Sequence, residues 1–147
     1  MSHTYSVQFT HIVFSTRRRE NLIPADLLPR LFAYVGGINR KLGLDSVAIG
    51  GTPNHLHILI GLPPTMRLAE AVQKLKANSS RWLGENGVRF EWQKGYGAFS
   101  VSPSMLRMVK NYVQQQEEHH RARTFDDEFL ALLRKSGIQF EVRDALG

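Results

Sequence analysis

The stretch that most constrains this chain is residues 55–61, His-Leu-His-Ile-Leu-Ile-Gly, lying between a Pro53-Asn54 turn and the break at Pro63-Pro64. An aliphatic run bounded by turn residues reads as a strand. Residues two apart on a strand share a face at a spacing of roughly 6.7 Å. His55 and His57 therefore project together, while Leu56 and Ile58 point the other way. Because the pair opens the strand directly after the turn, both rings are expected at the rim of a sheet.

The neighbouring segments supply partners for that strand. Residues 5–15 alternate, with Val7, Phe9, His11 and Val13 on one face and Gln8, Thr10, Ile12 and Phe14 on the other. Apolar residues on both faces predict a central position. A helix is predicted over 27–42, with Asp26 as its cap, Pro29 tolerated in the first turn and Gly43 as its stop. Residues 44–49 then pair with 55–61 across Gly50-Gly51-Thr52-Pro53-Asn54. Thr65 caps a helix reaching about residue 83, and 88–92 and 98–101 read as short strands. Ser102-Pro103 starts a helix over about 103–123, and Thr124 caps the last one, with acids in its first turn. The simplest packing is an α+β fold: a ferredoxin-like antiparallel sheet (split βαβ), helices on one face and a C-terminal tyrosine-bearing helix.

One domain over residues 1–147 accommodates this order, and 42% hydrophobic content suffices for a core. No apolar run approaches a membrane span. Met1-Ser2-His3-Thr4-Tyr5 lacks the regions of a secretory leader, so a cytoplasmic protein is expected. The chain has no cysteine, which leaves histidine, carboxylate and amide as metal ligands. A net charge of +6 favours an anionic partner such as nucleic acid. Arg17, Arg18, Lys74, Lys76 and Arg81 are the candidate DNA contacts, Trp82, Trp92 and Tyr96 are candidate base-stacking surfaces, and the two tryptophans read equally as core residues.

Two motifs carry chemistry. His55 and His57 can chelate one divalent cation, or one ring can cap the turn while the other is half-buried. Tyr112 and Gln116 are four apart and share a helical face, with His119 near the same line and His120 slightly off it. A phenol of pKa about 10 attacks a phosphate only with help from a cation or base. Gln116 offers a neutral oxygen ligand. In the other reading Tyr112 packs with Val109 and Val113 against the sheet.

Taken in order, these motifs resemble the single-tyrosine HUH transposases, small enzymes of the IS-two-hundred type of insertion sequence that act on single-stranded DNA. His55-Leu56-His57 matches His-hydrophobic-His, and Tyr112 with Gln116 matches the nucleophile helix. The run His11 to Thr16, the stretch Gln73 to Arg81, and Trp92 to Val101 are similar to further parts of that family. Asn54 stands where many relatives carry Asp, and Phe140 to Asp144 departs from the usual tail.

The resemblance implies that His55, His57 and Gln116 bind Mg²⁺ or Mn²⁺, and that Tyr112 attacks the scissile phosphate to form a 5′-phosphotyrosine. It further implies hairpin-forming transposon ends as substrate, and a homodimer. Two other classes fit parts of the pattern. A single-strand-binding module would form no adduct, and a metal-dependent hydrolase would tolerate loss of Tyr112.

Overall fold

The computed structural model describes residues 3–147, so the reading of Met1 and Ser2 lies outside the described residues. Strand β1 (Phe9–Ser15) forms from the alternating segment near the N-terminus and is followed by α1 (Leu28–Lys41) and β2 (Asp45–Thr52). Next come β3 (His55–Gly61), α2 (Leu68–Glu85) and β4 (Gly97–Val101). The sheet order is β2-β3-β1-β4, with every pairing antiparallel. β1 and β2 thus run the same way with β3 inserted between them. β3 and β4 likewise flank β1, so two β-α-β units interleave and place β1 and β3 at the centre.

The two central strands are apolar on both faces because both faces are covered. On one side Ile12, Phe14, Leu56, Ile58 and Ile60 pack with Leu31 and Val35 of α1 and Ala71, Val72 and Leu75 of α2. Each such aliphatic side chain contributes about 1.5–3 kcal/mol on full burial. The other side is not left open. There α3 (Leu106–Gln114), the short α4 (Gln116–His119) and α5 (Phe125–Lys135) close over the sheet, and α6 (Val142–Leu146) follows. Val113 packs on Ala48 and Leu59, while Phe125 and Leu133 pack on Val13 and Phe99. Helices α1 and α2 thus lie on one face as expected, and the C-terminal helices, the tyrosine-bearing α3 among them, cover the other.

Several local expectations shift for physical reasons. β2 extends through Gly50, Gly51 and Thr52, leaving Pro53-Asn54 as a two-residue hairpin turn. Gly50 is in the ladder because α3 crosses there: a Cβ would collide with the Val113 carbonyl oxygen. Residues 88–92 form no strand and make a single bridge, Thr16 to Trp92. The chain turns away after Ser15, with Arg18 and Arg19 at positive φ, so no ladder can extend. α2 begins at Leu68 rather than near Thr65, and neither α1 nor α2 has a side-chain cap. Thr124 does cap α5, accepting from the Asp127 amide.

The helix expected over 103–123 is broken. Pro103–Met105 is a 3₁₀ turn, α3 ends at Gln114, and Gln115 leaves helical geometry before α4 begins. The break turns Gln116 inward, where it is buried, while Gln114 and Gln115 stay exposed.

Candidate metal and tyrosine centre

The site lies on the sheet face under the C-terminal helices. In register, His57 stands between Val13 of β1 and Gly50 of β2, and His55 stands between Ser15 and Thr52. Both imidazoles are fully buried. The pair does open β3 at the end of the sheet, where His55 faces the last residues of β1 and β2, but α3, α4 and α5 roof the rings over. Glycine at 50 gives α3 its close approach and so sets how deep its side chains sit.

Around His55 the bonds fix an orientation. Its Nδ1 lies 2.8 Å from Asn54 Oδ1, and Thr52 Oγ1 donates to the same amide oxygen at 3.0 Å. An Nδ1–H donated to Asn54 leaves the Nε2 lone pair facing inward. Asn54 thereby does with an amide oxygen what a carboxylate would do. At 3.1 Å from that Nε2 stands Gln116 Oε1, held there because the amide nitrogen donates to the Tyr112 carbonyl at 3.0 Å.

His57 is held from both ends. Its Nδ1 is 2.7 Å from His11 Nε2, with the two rings stacked 4.9 Å apart. Its Nε2 is 2.9 Å from Glu128 Oε1. Glu128, on α5, is buried and is the junction of the centre: Oε1 also accepts from His120 Nε2 at 3.1 Å and lies 3.7 Å from His55 Nε2. Oε2 accepts from the Tyr112 hydroxyl. Tyr112 is half-buried, stacked on His119 at 4.7 Å and edge-on to His57 at 5.8 Å.

Electrostatics set the protonation states. Burial, and then the neighbouring His57, lowers His11 and His55 to a pKa of about 3. Burial also lowers His57, against the opposing pull of Glu128. Burial pushes the Glu128 carboxyl up, but bonds from His120, His57 and Tyr112 outweigh it and hold it below the usual carboxylate range. Burial, and then the bond to Glu128, raises Tyr112. Neutral imidazoles, an ionised carboxylate and an amide oxygen form a donor set for a divalent cation. His55, His57 and Glu128 donor atoms lie within 4.8 Å of one another, and the lone pairs of His55 Nε2 and Gln116 Oε1 converge. The residues fit a metal.

The structure brings Tyr112, His55, His57 and Gln116 together within one chain. It adds Glu128, His120 and His11, which sequence reasoning did not assign. The acids after Thr124 occupy the first turn of α5, yet Glu128 falls beside Phe125 and Leu132 on the stripe that α5 turns inward. A carboxylate in an apolar stripe is the signal that was available. His11 gave the same kind of signal in the apolar alternation of β1.

The basic candidates lie elsewhere. Lys74 and Arg81 pair with Glu70 and Glu85 on α2, behind the sheet. Lys76 donates to the carbonyls of Gln93 and Gly95 at 2.8 and 2.5 Å. Arg17 pairs with Glu91, and Arg18 is exposed.

The chain is similar in sequence and shape to known transposases. The ISDra2 transposase TnpA of Deinococcus radiodurans is 19% identical over 129 residues, covering 79% of this chain and 88% of that protein. A crystal structure of a Deinococcus radiodurans R1 protein assigned as a transposase superposes with a TM-score of 0.62. It is 21% identical and covers 79% of this chain and 95% of its own. A REP-associated tyrosine transposase bound to a REP hairpin superposes with a TM-score of 0.53 at 16% identity, covering 77% of this chain and 70% of its own. The profile of the family described as "Transposase IS200 like" matches residues 4–116, a stretch that includes His55, His57, Tyr112 and Gln116. With the profile spanning most of its length, the chain belongs to the IS200-like transposase family.

Proposed function

We propose that this protein nicks and rejoins single-stranded DNA at insertion-sequence ends, with Tyr112 as nucleophile. The observation that carries this reading is the shared carboxylate. Glu128 accepts from the Tyr112 hydroxyl on one oxygen and from His57 on the other, so nucleophile and metal donors are held in one cluster. His55, His57, Gln116 and Glu128 would hold Mg²⁺ or Mn²⁺, which supplies Lewis-acid polarisation of the scissile phosphate.

The chain's own groups do the remaining work. Tyr112 Oη attacks phosphorus, the P–O3′ bond breaks, and a free 3′-hydroxyl leaves while the 5′-phosphate stays on the tyrosine. Attack by a second DNA 3′-hydroxyl reverses the exchange, and the bond count is unchanged, so no nucleotide cofactor is required. Thr52 and Asn54 orient His55, His11 orients His57, and Gln116 ties its own position to the Tyr112 backbone. Because every donor and the tyrosine come from one chain, the proposed site is complete without the homodimer that the resemblance implies.

Arg17 and Arg18, on the exposed turn after β1, are the proposed phosphate contacts, and Lys74, Lys76 and Arg81 are secondary candidates. No helix among the described residues is long and apolar enough to cross a membrane. The proposed place of action is with DNA in the cytoplasm.

The test is single-stranded DNA from the gene's own flanks, labelled at its 3′ end and resolved on denaturing gels. A labelled protein band requiring both metal and Tyr112 supports the reading. Binding with no adduct points to a binding module, and metal-dependent nicking by Tyr112→Phe points to a hydrolase.

A further inference from the structure

The three aromatics near the cations part company in the structure. Trp92 is buried against Phe14 and Phe90, and its indole N–H donates to Ser79. Trp82 lies half-buried against Tyr34 behind the sheet. Tyr96 is 42% exposed. It stands on a short loop, Lys94-Gly95-Tyr96, that is pinned from below. Lys76 donates to the Gln93 and Gly95 carbonyls, and the Arg18 amide donates to Gln93 Oε1 at 3.0 Å.

That loop forms one wall of an open cleft whose other wall is Phe129, Phe140, Glu141 and Asp144. Phe129 stacks on Phe125 at 5.7 Å, and Phe125 lies against His55 at 4.5 Å. Two ring contacts therefore separate the cleft from a proposed metal donor. A second groove adjoins it, lined by Arg17, Arg18, Glu91, Gln93 and Lys94. Glu91 pairs with Arg17, so Arg18 and Lys94 leave the lining net basic, and Lys94 belongs to both grooves.

We propose that this cleft takes one unpaired nucleobase of the DNA strand, stacked on Tyr96 beside the scissile phosphate, while the adjoining basic groove carries the backbone. This rests on the single-stranded DNA reading above. The chemistry assigns the two occupants. Glu141 and Asp144 would repel a phosphate but accept from the exocyclic amine of a base, as on cytosine or adenine. Arg17, Arg18 and Lys94 attract phosphates. A partly exposed phenol ring such as Tyr96 is the kind of stacking platform that single-strand binders use.

The experiment measures binding without catalysis. A fluorescein-labelled oligodeoxycytidylate of about 15 nucleotides, the footprint of a small domain, is titrated with the full chain in EDTA. Tyr96→Ala should weaken binding about tenfold or more, whereas Tyr96→Phe, which keeps the ring, should stay near wild type. Both variants should melt with the wild type. Irradiation of the same strand carrying 5-iododeoxycytidine should crosslink to Tyr96. Tyr96→Ala binding within about twofold of wild type, or a crosslink that maps elsewhere, overturns the proposal. Those results would leave the Tyr112 reading intact, because the adduct assay does not depend on them. A crosslink at Tyr96 in a protein that forms no adduct would uphold the cleft and sink the transposase reading.

Discussion

The Tyr112 hydroxyl donates to Glu128, sixteen residues further along the chain, and the same buried carboxylate receives His57. The proposed nucleophile and the metal donors are thus wired through one side chain that the profile match, ending at Gln116, does not include. Glu128→Gln keeps the shape and removes the charge. Calorimetry with Mn²⁺ should show affinity reduced at least about tenfold, with cleavage falling in parallel. Equal Mn²⁺ affinity in the variant would take Glu128 out of the metal site.

Among the described residues, His11 is the only side chain bonded to His57 Nδ1. A metal on Nε2 requires the proton on Nδ1, donated to His11; without metal, Nε2–H faces Glu128 and His11 donates instead. An imidazole can serve in either direction, which a carbonyl cannot. His11→Phe should weaken Mn²⁺ binding about 10–100-fold without loss of the fold. In ¹⁵N spectra of the metal-bound wild type, His57 should carry its proton on Nδ1. A variant with wild-type affinity would show that His11 is only packing.

The buried imidazoles predict an acid-labile metal-free protein. Folded His11 and His55 have pKa values of about 3, while the unfolded chain takes up those protons near 6.5. The unfolded state binds more protons throughout that window, so stability is full above about 6.5 and is lost as pH falls toward 3. From pH 6.5 to 5 each imidazole costs about 2 kcal/mol through proton uptake by the unfolded chain, and with both rings still neutral in the fold the two costs add. Urea midpoints in EDTA should drop accordingly. Midpoints that stay level between pH 7 and 5 would contradict neutral, buried rings.

The one-chain site makes a prediction about mixtures. Tyr112→Phe and His57→Ala copies, each inactive alone, should remain inactive when combined. Recovered cleavage in the mixture would mean that the tyrosine helix of one copy serves the other's donors.

Much of this was legible in residue patterns, and the exceptions have common causes. The central strands, the hairpin at Pro53-Asn54 and the Thr124 cap follow from alternation, turn chemistry and capping, which are local. His55, His57, Tyr112 and Gln116 were nameable because short spacing puts each pair on one face. Glu128 was not, because its role comes from α5 folding back over the sheet, a tertiary event with no fixed sequence separation. The break at Gln115 was hidden for the same reason: burial of Gln116 against His55 outweighs the local helical preference. Gly50 reads as loop because its close-packed neighbour, Val113, is more than sixty residues away.

The most direct test maps the adduct. Wild-type protein is incubated with Mn²⁺ and single-stranded DNA from its gene's flanks, the DNA is trimmed with nuclease, and tryptic peptides are read by mass spectrometry. A nucleotide 5′-phosphate on Tyr112, within the peptide that follows Lys110, is the predicted result. Nicked DNA with no modified peptide, or a phosphate on another residue, would contradict Tyr112 as the nucleophile.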